Sequence, residues 1–122
     1  MEEYIVDQLV KDTQQTYYEY VSKIEQGCIQ IATDLRVGNN DAAFKEIINL
    51  TEGFGWLLDV EAHMLENSYK VNSRLAEALD FLNEASDALE GGDTVTVADL
   101  FEYELAPLFS SATEWTFSEI TN

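Results

Sequence analysis

From about Tyr4 to Val37, apolar or small residues recur at Val6, Val10, Thr13, Tyr17, Val21, Ile24, Cys28, Ile31 and Leu35. Steps of three and four match an α-helix of about 3.6 residues per turn, so these side chains share one face. Asp7, Lys11, Gln15, Glu19, Lys23, Gln26 and Asp34 point away from it. At about 1.5 Å per residue the helix is roughly 50 Å long and needs partner helices along its length. Gly27 interrupts the pattern, as a close backbone contact or a mild bend. Gly38 ends it, and Asn40 or Asp41 then caps a second helix.

The second helix is predicted from about Asp41 to Glu66, with Phe44, Ile48, Thr51, Gly55, Leu58, Ala62 and Leu65 along its core face. Ile47, Phe54 and Glu61 stand beside that row. Gly55 marks a tight helix crossing, with a kink as the alternative. Asn67-Ser68 or Asn72-Ser73 holds the N-cap of helix three. That helix runs to about Glu90, with Val71, Leu75, Leu79, Leu82 and Leu89 inward and Ala78 and Ala85 filling gaps, and Gly91-Gly92 ends it. A last helix begins near Thr96, where Thr96-x-x-Asp99 has the form of a capping box. Its core face is Val97, Phe101, Leu105, Leu108, Ala112 and Trp115. Pro107 lacks an N–H and clashes with the carbonyl of Tyr103, so the helix kinks there or restarts at the proline. No strand-like alternation, internal repeat or low-complexity linker is visible. The expectation is an all-α chain, one domain over residues 1–122, folded as an antiparallel up-down four-helix bundle with a long first helix and a Pro-kinked last one.

A length of 122 residues with 46% apolar side chains is enough for a real core. Charge adds more. With 24 acidic against 6 basic residues the formal net charge is −18, which repels nucleic-acid phosphate and anionic lipid and draws in basic proteins or cations. Direct nucleic-acid and membrane partners are therefore not expected. The start carries no basic and apolar leader pattern, and no apolar run approaches membrane-spanning length. One cysteine, Cys28, sits on the apolar stripe as a small buried hydrophobe, so a reducing, cytoplasmic location is expected.

His63 is the one histidine and the residue three before it is Val60, so the Glu-x-x-His pairs of di-iron bundles are missing. One Cys and one His do not supply an ordinary zinc site. Glu77, Asp80, Glu84 and Asp87 on helix three have the spacing of Mg²⁺-binding carboxylates, yet they lie opposite Leu75, Leu79, Leu82 and Leu89 and read as a solvated face. No catalytic, cofactor-binding or metal residue is assigned, and no enzyme is expected.

What stands out is apolar surface. Trp56, Val60 and His63 fall at i, i+4 and i+7 opposite the expected core face of helix two, and Tyr103 and Phe117 also leave the main stripes. Aromatic anchors at helical spacing suit a protein partner, basic or amphipathic, or a second copy of the chain as a homodimer. The expected function is a non-catalytic adaptor or chaperone-like protein. A nucleic-acid mimic that blocks a basic protein is the alternative, and a metal-dependent hydrolase using the helix-three carboxylates is a weaker one. The segment Ala98-Asp99-Leu100-Phe101-Glu102-Tyr103-Glu104-Leu105-Ala106-Pro107-Leu108 resembles part of small acidic all-helical bacterial proteins. The resemblance implies a helical fold and no activity. Within that segment Glu104 is expected at the edge of the core, partly buried and in need of a hydrogen-bond partner.

Overall fold

A computed structural model describes the backbone of residues 2–120 and the side chains of residues 5–120. Of the described residues 83% are helical, in four helices with a small two-stranded sheet. Helix α1 spans Glu2–Arg36 and α2 spans Asn40–Glu66. They are antiparallel: Tyr17 meets Glu61, Tyr20 meets Trp56, and the pairings run in opposite directions along the two helices. The apolar stripe of α1 is buried from Tyr17 to Leu35, as the periodicity predicts. Towards the N-terminus Val10 and Thr13 are half-buried, and Val6 is exposed.

Strand β1 (Tyr69–Asn72) follows α2 and pairs antiparallel with β2 (Thr116–Glu119), with Val71 opposite Phe117. This sheet corrects the expectation of a chain without strands. Each strand is only four residues long, so its two-residue period is too short to register in the sequence. Tyr69, Val71 and Phe117 are the half-buried positions that turn inward. Phe117 packs edge-on against Tyr17, with ring centroids 4.8 Å apart, and its N–H donates to the Tyr18 hydroxyl at 3.0 Å.

Helix α3 (Leu75–Glu90) buries Leu75, Ala78, Leu82 and Ala85. Its first N–H, on Leu75, is accepted by Ser73. The fourth helix starts two residues earlier than the capping-box reading places it. Its cap is Asp93, whose carboxylate accepts the N–H and hydroxyl of Thr96, which holds that carboxyl below the usual range. The helix is α4 (Thr94–Asp99), then a π-helical stretch (Leu100–Leu105), then α5 (Ala106–Ser110) with Pro107 in its first turn. Ala106 donates five residues back to Phe101. The widened turn lets the chain restart its α-ladder at the proline instead of breaking. A 3₁₀ turn (Ser111–Glu114) leads to extended Trp115 and β2. All six residues of the predicted core face here, from Val97 to Trp115, are buried. Glu104 is exposed, which removes the need for a buried partner.

Candidate functional site

Helix α2 is apolar over two adjacent rows, and packing resolves which one is core. The buried row is Ala43, Ile47, Leu50, Phe54, Leu57, Val60 and Met64. The row predicted as core lies about 100° around the helix from it, and most of that row faces solvent. Ile48 is 60% exposed, Leu58 42% and Leu65 60%, with Thr51, Gly55 and Ala62 also exposed. Phe44, at the start of this row, is half-buried. The signal that separates the rows is volume. The buried row carries Phe54, Leu57 and Met64, whereas Thr51, Gly55 and Ala62 in the outer row fill little space. The tight approach is at Gly53, not Gly55: a Cβ there would lie 1.7 Å from the Tyr20 hydroxyl.

This rotation changes what the predicted anchors can do. Val60 is 3% exposed and belongs to the core, because α2 turns it towards α1. Trp56 keeps 37% of its surface and rests edge-on against Tyr20, with centroids 6.0 Å apart. His63 is exposed, with Nδ1 3.5 Å from Glu66. Tyr103 is 64% exposed on the π-helical stretch, 5.8 Å from the Arg36 guanidinium, which also bonds Asp99 and Glu102. Phe117 is half-buried in its cluster with Tyr17 and Tyr18. Trp56 sits beside Tyr20 and Tyr103 beside Arg36, roughly 24 Å apart along α1 at about 1.5 Å per residue. Trp56 and His63 therefore share one face of α2, and Tyr103 stands elsewhere.

Other groups are committed to the fold. Glu61 accepts from the Tyr17 hydroxyl at 2.6 Å and from Ser73 at 2.8 Å, joining α1, α2 and the start of α3. Burial first, and the Glu61 carboxylate second, push the Tyr17 hydroxyl far above the ordinary phenol range. Burial raises the Cys28 thiol to about 12, so it is inert as a nucleophile at neutral pH. Glu77, Asp80, Glu84 and Asp87 are exposed, and among the described residues no group of three His, Cys, Asp or Glu side chains could hold a metal ion. A half-open cavity of about 540 Å³ between α1 and the chain's end is lined by Val21, Phe109 and Trp115, with Glu25 and several hydroxyls. The Trp115 Nε1 is buried without a hydrogen-bond partner.

Among the described residues no helix is long and apolar enough to cross a membrane. No curated protein and no solved structure matches the chain. A family model does match residues 12–114, a span that holds all of α2, α3 and the fourth helix. The chain belongs to the family described as a domain of unknown function, DUF8042.

Proposed function

We propose that this chain is an antiparallel up-and-down helical bundle that works in the cytoplasm as a non-catalytic, adaptor- or chaperone-like protein, holding a basic or amphipathic segment of a protein partner. The observation that carries this reading is the solvent-facing apolar row of α2 on a body of net charge −18. Ile48, Leu58 and Leu65 supply contact area, and the surrounding carboxylates favour positively charged sequences and raise their rate of encounter. Tyr17 and Glu61 are tied together across α1 and α2, and Cys28 is buried in the core.

Affinity capture from a native lysate at about 50 mM and about 500 mM salt tests the proposal, because added salt screens the charge term and leaves apolar contact in place. A partner protein retained at high salt is the expected outcome. The charge of −18 also favours the nucleic-acid-mimic reading, whose binding falls steeply with salt. A partner captured at low salt alone would replace the adaptor reading with the mimic. No partner at either salt would end both.

A further inference from the structure

The outer row of α2 repeats in sevens. Ile48, Gly55 and Ala62 form one line and Thr51, Leu58 and Leu65 the other, the alternation of three and four with which one helix seats another. One shoulder of this seam is core, at Ile47 and Phe54. The opposite shoulder repeats in the same register as Lys45, Glu52, Asp59 and Glu66, all exposed, with Trp56 and His63 just beyond. Three of those four flanking rungs are acidic. On the Thr51 side the surface dips into a cleft of about 120 Å³ between α2 and α3, lined by Ile47, Leu82, Asn83 and Leu89 among others.

Gly55 is a second, independent sign. A glycine inside an exposed helix costs about 1 kcal/mol relative to alanine. Gly53 has a reason within the chain, the Tyr20 ring. Gly55 has none, since a Cβ there meets nothing within 4 Å. A backbone crossing over Gly55 from outside supplies the reason, and its neighbours Leu58 and Thr51 then pack to either side.

Resting on the adaptor reading above, we infer that this seam docks an amphipathic helix of a partner protein, one that carries Lys or Arg beside its own apolar stripe. From Ile48 to Leu65 the seam is about 26 Å long, so the docked helix runs for about five turns. Its basic residues meet Glu52, Asp59 and Glu66. A second copy of this chain fits worse. In an antiparallel pair the flanking rows of the two helices face each other, which sets Glu52 and Asp59 against their own counterparts between two bodies of charge −18.

The probe is a synthetic peptide of about three heptads with Leu at the two seam positions and Lys at both flanks, alongside a version with Glu for every Lys. Binding is read by calorimetry at about 50 mM and about 500 mM salt. The Lys peptide is expected to bind and the Glu peptide not. Leu58→Asp and Leu65→Asp, both at exposed positions, should weaken the Lys peptide at least about tenfold at both salts while helicity by circular dichroism is unchanged. Glu52→Lys, Asp59→Lys and Glu66→Lys together should weaken it at low salt and admit the Glu peptide. Gly55→Ala should melt higher than wild type yet bind less tightly. Binding that survives Leu58→Asp would mean attraction to the negative body as a whole and would overturn the seam. So would a dimer that Leu58→Asp dissociates in the absence of peptide, because a second copy would then be the occupant. If a partner captured from lysate is retained by Leu58→Asp, the seam fails and the adaptor reading stands; if no partner is captured and the peptide does not bind, both fail.

Discussion

Three elements converge on the Glu61 carboxylate, and the ionisation of the Tyr17 hydroxyl that donates to it is coupled to the fold. The phenol is 1% exposed and donates to Glu61, so a phenolate there would be desolvated and set against a carboxylate. Cys28, fully buried on the same stripe, is the parallel case, its thiol raised from 9.0 to about 12. Both groups hold their protons more tightly folded than unfolded. Their contribution is therefore complete below the unfolded values and is lost as pH climbs above them, from about 9 towards 12 for the thiol and above about 10 for the phenol. Each such group steepens the loss by about 1.4 kcal/mol per pH unit in its window. Urea unfolding from pH 8 to pH 11 should show wild-type stability falling with pH, and a shallower fall in Cys28→Ala and in Tyr17→Phe. Slopes are the readout, because each substitution also changes packing at every pH. Identical slopes in all three proteins would show that neither proton is linked to folding.

On the scale of elements, the fourth helix shows how a rule of local structure is obeyed without a break. Proline inside an α-helix costs about 3 kcal/mol or more when an owed hydrogen bond is lost and its ring meets the carbonyl four residues back. Here the π-helical stretch ends in the bond from Ala106 to Phe101, and Pro107 sits exposed in the first turn of α5. Near a helix start the missing N–H is of little consequence. Pro107→Ala is therefore expected to change stability by less than about 1 kcal/mol by chemical denaturation. Stabilisation near 3 kcal/mol would mean that the proline strains the helix. The sequence left a kink or a restart open at the proline and the structure has the restart, while the long α1 and the core face of the fourth helix follow from periodicity alone. The orientation of α2 does not, because two apolar rows about 100° apart satisfy the same period, and the choice between them rests on side-chain volume against α1. The sheet was hidden in strands of four residues. As for the candidate surface, Trp56 and His63 were legible as outward positions, whereas the Ile48–Leu58–Leu65 row was masked by being read as core.

Over the whole molecule the acidic excess sets how stability answers to salt. Among the described side chains, ion pairs engage Arg36 with Asp99 and Glu102 and Arg74 with Glu77, all at the surface. Exposed pairs of this kind add little to stability. Against them stands the mutual repulsion of a net charge of −18, which favours expansion of the chain and which no basic cluster offsets. Salt screens both terms, with a Debye length of about 30 Å at 0.01 M and about 10 Å at 0.1 M. The repulsion extends across the molecule and the pairs do not, so screening removes more destabilisation than stabilisation. Raising NaCl from about 10 mM to about 300 mM at pH 7 should raise the melting temperature by several degrees, where about 1 kcal/mol corresponds to about 4 °C for a chain of this size. Chloride is the appropriate anion, since sulfate also strengthens apolar burial by exclusion from the surface. A melting temperature that falls with NaCl would assign the balance to the surface pairs instead. The same screening should leave peptide bound at the α2 seam attached through Ile48, Leu58 and Leu65 after its charge contacts have weakened, so stabilisation of the fold and loss of electrostatic attraction to a partner rise together with salt.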